Sequence, residues 1–224
     1  MSRVYKHISR PEHSRPAREE LGISPDEIID VSMLRMLLHA RGLTKKMNAV
    51  VGSLIAEEGL WEPALDLAMS DDAQTAFRAS WALEWAYATN MDYFERFIPR
   101  FFEDYLSATN ESVNRVYSKM VCDMMRRGAL TLTDEQALAV AEKAFDLLVN
   151  PGTAVAVKVW QIELLSDLSG HIDWIEENLT EIVRAMSEKP DCTPAEAAHA
   201  RHYFRELEKR TKRKENRGSR ILTQ

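Results

Sequence analysis

Helix-breaking residues are scarce in this chain, with 8 glycines and 8 prolines among 224 residues. No window alternates apolar and polar residues for long, which excludes a fold built on half-buried strands. Cysteine is scarcer still. Cys122 and Cys192 stand far apart and without metal-ligand spacing, which excludes a disulfide framework. Two isolated thiols fit a reducing compartment, so a cytoplasmic location is expected. No apolar run approaches the roughly 18–20 residues of a membrane-crossing helix, so no membrane partner is expected. The first residues, "MSRVYKHISRPEHSRPAREE", lack the apolar stretch of a signal peptide. A glycine-rich phosphate loop is missing too, and no serine or cysteine sits in a recognisable nucleophile motif. Catalysis therefore has no candidate residue, and no cofactor or metal is expected.

What the chain has is helical spacing nearly throughout. The apolar periodicity places helices near 25–40, 43–57, 60–69, 73–88, 91–107, 110–126, 134–148, 153–168, 172–187 and 194–210. Their starts are marked by capping residues. Ser24-Pro25-Asp26-Glu27, Thr133-Asp134-Glu135-Gln136 and Thr193-Pro194-Ala195-Glu196 each set a hydroxyl three residues before a side chain that reaches back. The connections are short, so successive helices are expected to pack antiparallel. In residues 150–170 the helix is apolar on two sides, and Lys158 is expected at its boundary with the ammonium in water.

A pattern recurs along the chain: an apolar helix end, a polar turn, an apolar residue with a basic one close behind, then an aromatic. The aromatics Trp81, Tyr117, Trp160 and Tyr203 follow one another at spacings of 36, 43 and 43. A helix pair repeated at such a period is the mark of an α-solenoid. Aromatics at equivalent repeat positions fill the core between repeats, so these four and Trp85 are expected to be structural.

The segments "FIPRFFEDYL", "FRASWALEW" and "TAVAVKVWQIELL" resemble HEAT repeats, and most closely small bacterial HEAT-like proteins. The resemblance covers roughly residues 43–210. It implies a right-handed all-α superhelix of about four to five helix pairs. No shared catalytic motif comes with it. It also implies a structural pair, because HEAT repeats often set an aspartate six residues before an arginine, as Asp72 and Arg78 stand here. In this reading residues 1–23 form a polar, partly disordered extension. Residues 24–210 form a single solenoid domain, with 24–42 outside the clear repeat match, and 211–224 form a basic tail.

Charge supplies the functional candidates. Seven basic residues against Glu215 alone give residues 209–224 a charge of +6, so with −6 on the whole chain the preceding residues carry about −12. Glu84, Glu163 and Glu206 each fall three residues after an aligned aromatic, as an acidic row would for a basic protein or peptide partner. Arg115, Lys158 and Arg201 each fall two residues before one. A basic row near tryptophans is similar to the DNA glycosylases built from HEAT-like repeats. An acidic body repels phosphate, however, and leaves nucleic acid only the tail. His199, His202 and Glu206 share a helical face but lack a further ligand, and are read as surface residues. The expected function is a non-catalytic scaffold that holds a protein or peptide on its concave surface. A nucleic-acid-acting protein of the glycosylase type is the alternative.

Overall fold

A computed structural model describes residues 16–40 and 44–221, with side chains as far as Lys212. The helices begin where a side chain catches free amides. Asp30 accepts from the Met33 amide at 2.8 Å and opens α2 (Val31–Leu38). Thr44 opens α3 (Lys45–Glu58), Asp72 opens α5 (Ala73–Thr89) and Asn110 opens α8 (Glu111–Arg127) in the same way. Before them lies α1 (Ala17–Leu21), and between them lie α4 (Trp61–Ala68), α6 (Met91–Phe94) and α7 (Ile98–Ser107). After α8 come α9 (Asp134–Val149), α10 (Val155–Leu168), α11 (Asp173–Glu188) and α12 (Pro194–Ile221). No strand occurs among the described residues.

The capping boxes at Thr133 and Thr193 close as their sequences suggest. The Thr133 amide donates to Gln136 at 3.0 Å and the Thr193 amide to Glu196 at 2.8 Å. The box at Ser24 does not. Residues 24–27 make only a turn, and the expected helix from 25 begins six residues later, at Val31. The reason is Arg18, whose guanidinium takes the carbonyls of Ser24 at 2.8 Å and Glu27 at 3.0 Å. Those are carbonyls that a helix would direct at amides four residues on.

The expected helix over 91–107 is also interrupted. A 3-10 turn, Glu95–Phe97, separates α6 from α7, and Pro99 stands in the first turn of α7. Proline has no amide to donate and its ring clashes with the carbonyl four residues back, so a continuous helix through Glu95 is excluded.

Packing groups the residues into two units, 1–139 and 140–224, where a single domain over 24–210 was expected. In the first, α5 lies against α3, α4 and α8. Gly52 permits the close approach of α3 to α5: a Cβ there would sit 2.6 Å from the Ala82 carbonyl oxygen. Trp61, Tyr87, Phe94, Phe101, Tyr105 and Tyr117 fill this core, each 2 % exposed or less. Side chains 36 residues apart meet repeatedly: His39 with Thr75 at 2.7 Å, Ser53 with Thr89 at 3.5 Å, and Tyr87 with Asp123 at 2.7 Å. Packing starts earlier than the expected boundary at 24, because Ala17 and Ile23 are buried with Val50 and Leu54. The rest of the expected extension, residues 1–15, lies outside the described residues.

In the second unit α10, α11 and α12 pack on one another. Ile175, Leu179 and Val183 form the buried stripe of α11, and Tyr203 of α12 meets the Thr180 hydroxyl at 2.9 Å. The helix expected to end near 210 runs on to Ile221. Basic residues suit a helix C-terminus, where the backbone dipole is negative. Residues 222–224 lie outside the described residues.

Candidate functional site

The acidic row anticipated at Glu84, Glu163 and Glu206 does not form an open surface. Glu84 is 9 % exposed and is held by the Lys119 ammonium of α8. Glu163 is half-buried on α10, 3.9 Å from His202 of α12. Glu206 accepts from Lys209 one turn on, at 2.7 Å, and that ammonium holds its carboxyl below the ordinary glutamate range. Each carboxylate already has a basic neighbour on the chain. Glu84 belongs to the first unit and the other two to the second.

The basic row divides as well. Arg201 is exposed, Arg115 is half-buried, and Lys158 is 8 % exposed rather than a boundary residue. Its aliphatic stem is taken in among α10's apolar neighbours. The wetted strip of α10 runs along Ala156, Val159, Trp160, Glu163 and Asp167, and Lys158 lies off it.

Of the five aromatics read as core, Tyr117 and Tyr203 are buried, while Trp81, Trp85 and Trp160 are half-buried. Trp81 stacks on Phe77 at 5.7 Å, along one face of α5.

Asp72 and Arg78 do not pair. The arginine reaches back to the Leu38 carbonyl at 2.8 Å. Asp72 caps α5 by accepting from the Thr75 amide at 2.7 Å and the Thr75 hydroxyl at 2.6 Å, which keep its carboxyl below the ordinary aspartate range. In this arrangement the Thr75 hydroxyl gives its proton to Asp72, and His39 Nε2–H donates to Thr75 Oγ1. With Thr75 only 1 % exposed, these side chains fasten α2 to α5 and offer no reachable nucleophile. His199 and His202 join no group of three metal-ligating side chains among the described residues. Burial lowers the His199 pKa, which makes its charged form harder to reach.

An open site lies elsewhere, along the groove between α9 and α11. On α9, Glu142, Phe145 and Asp146 fall within little more than one turn and share one face. On α11, Trp174, Asn178 and Ile182 follow at intervals of four, one residue before each member of the buried stripe. Burying Ile175, Leu179 and Val183 therefore places the preceding residues at the rim. The groove they line is about 540 Å³.

Trp174 is 43 % exposed, and its ring stacks on Phe145 at 5.5 Å with 28° between the planes. Asn178 donates to the Trp174 carbonyl at 2.8 Å, which leaves its amide oxygen as an acceptor. Glu142 and Asp146 are exposed on the opposite wall, and neither enters an ion pair among the described residues. An aromatic face held rigid by a second ring, with two carboxylates beside it that are unpaired among the described residues, suits a cation on an extended or helical segment.

Sequence reasoning passed over these residues. The signal was present in "DWIEENLTEIV", where Ile175, Leu179 and Val183 define the apolar stripe and leave the tryptophan beside it. A large aromatic off the stripe of an amphipathic helix is the unusual feature. Compared with protein-family models, with curated proteins and with solved structures, the chain matches none.

Proposed function

We propose that this chain is a HEAT-like helical-repeat scaffold, and that the groove between α9 and α11 binds a basic segment of another protein. The contacts at a separation of 36 residues support the repeat, because they join helices one helix-pair length apart along the chain. The observation that carries the function is Trp174, exposed and stacked, beside two carboxylates that enter no ion pair among the described residues. Elsewhere on the proposed acidic row the charges are satisfied within the chain. A free pair of carboxylates therefore has more to gain from an external cation. Two unoxidised cysteines, one of them buried, support a cytoplasmic setting.

Calorimetric titration with an arginine-rich peptide tests this. Saturable binding is expected, weakened about tenfold or more by Trp174→Ala and by the double change Glu142→Gln with Asp146→Gln. It is also expected to weaken as salt rises, since exposed charges are screened over roughly 8–10 Å. Equal affinity in all variants rejects the groove. Duplex DNA bound in place of the peptide, and lost with residues 211–224, supports the nucleic-acid alternative.

A further inference from the structure

We infer that the basic segment taken by this groove is the C-terminal tail of a second copy of the same chain. The inference rests on the groove being a docking site, and adds its occupant. Charge is the first argument. Residues 209–224 carry Lys209, Arg210, Lys212, Arg213, Lys214, Arg217 and Arg220 against Glu215. The groove offers Glu142 and Asp146, and α11 carries Glu177 and Glu181 exposed nearby along the same helix.

Geometry is the second. Among the described side chains, the last anchoring contact of α12 is Arg210, which donates to the Ser166 carbonyl at 2.9 Å and to the Ser169 hydroxyl at 3.2 Å. Thr211 and Lys212 are exposed, and the backbone continues as helix to Ile221. Eleven residues at 1.5 Å each make a rod of about 16 Å beyond that anchor. α12 packs on α10 and α11, and we take its straight continuation to leave its own chain. The tail reaches that groove in another copy.

Length and chemistry agree. Trp174, Asn178 and Ile182 span nine residues of α11, about 12 Å, which a helix of 16 Å covers. Arg213, Arg217 and Arg220 recur in the sequence at intervals of four and three, the steps of a helix. A guanidinium lies flat on an indole face and grips a carboxylate with two parallel hydrogen bonds, and this groove supplies both surfaces. Each copy carries one tail and one groove, two different surfaces, so the contact is heterologous. It closes when two copies exchange tails.

Sedimentation of the full chain tests the inference. The average mass is expected to rise towards twice the monomer as protein concentration rises, and to return to the monomer at high salt. A chain ending at Lys212 and the full chain with Glu142→Lys and Asp146→Lys should each remain monomeric. Mixed together, they should associate, because one retains the groove and the other the tail. Circular dichroism of each variant establishes that it is folded. A full chain that stays monomeric at all concentrations overturns the inference, as does association that survives in both variants. A full chain that stays monomeric while its tail binds duplex DNA overturns it in favour of nucleic acid. Where the inference is overturned in one of these ways and the arginine-rich peptide still binds the shortened chain, the groove stands and only its occupant is wrong.

Discussion

Tyr87 donates its phenolic proton to Asp123 across 2.7 Å, both side chains buried, although 36 residues separate them. The Arg127 guanidinium reaches the same carboxylate oxygen at 2.6 Å. A buried carboxylate must be met by donors, so Tyr87→Phe removes a donor that joins α5 to α8. The expected loss is about 1.5–3 kcal/mol in urea melts, the range for hydrogen bonds to charged groups. A loss below about 0.5 kcal/mol would show that the carboxylate is satisfied without the tyrosine.

At Gly52 the prediction concerns space. A methyl group there meets the backbone of α5 at Ala82 and the Cβ of Trp85, neither of which can swing aside. Gly52→Ala raises helix propensity by about 1 kcal/mol, yet overpacking typically costs about 1–3 kcal/mol. Net destabilisation is expected. A gain in melting temperature would contradict the close approach.

The aromatic core shows which features were legible. Trp160 stood out in sequence because its helix is apolar on two sides, but it is half-buried. Trp61 begins a helix of only eight residues, too short for a convincing periodic stripe. Yet it is fully buried, with the rings of Tyr93, Phe94 and Phe97 at 5.6–5.9 Å. Trp61→Ala is expected to cost about 3–5 kcal/mol, and Trp160→Ala clearly less. Chemical denaturation of both variants decides the order, and the reverse ranking would contradict the packing.

Local signals were read correctly where a capping side chain acts within a few residues, as at Thr133 and Thr193. They failed where a distant group intervened. Arg18 captured the carbonyls after Ser24, and Leu38 rather than Asp72 received Arg78. The candidate site was missed for a related reason. The off-stripe position of Trp174 is legible within its own helix, but its stacking on Phe145 of another helix is not.

Glu196 gives a pH dependence of known sign. The Lys189 ammonium at 2.8 Å, with the amide and hydroxyl of Thr193, brings its carboxyl down from 4.5 to about 2. The folded value is depressed, so the stabilisation is present above pH 4.5 and is lost as pH falls towards about 2. The gap in stability between the native chain and Glu196→Gln should therefore narrow over that interval. A gap constant from pH 5 to pH 2 would mean that the carboxylate gains nothing from its partners.

The central claim is that Trp174 receives a basic segment, and fluorine NMR of protein carrying 5-fluorotryptophan tests it most directly. The 5 tryptophans give separate resonances, and the one missing from Trp174→Phe belongs to Trp174. Added peptide of residues 209–224 should shift that resonance saturably, with the buried Trp61 signal unchanged. A Trp174 signal that stays fixed while the peptide binds, or no response at any tryptophan, would contradict the account.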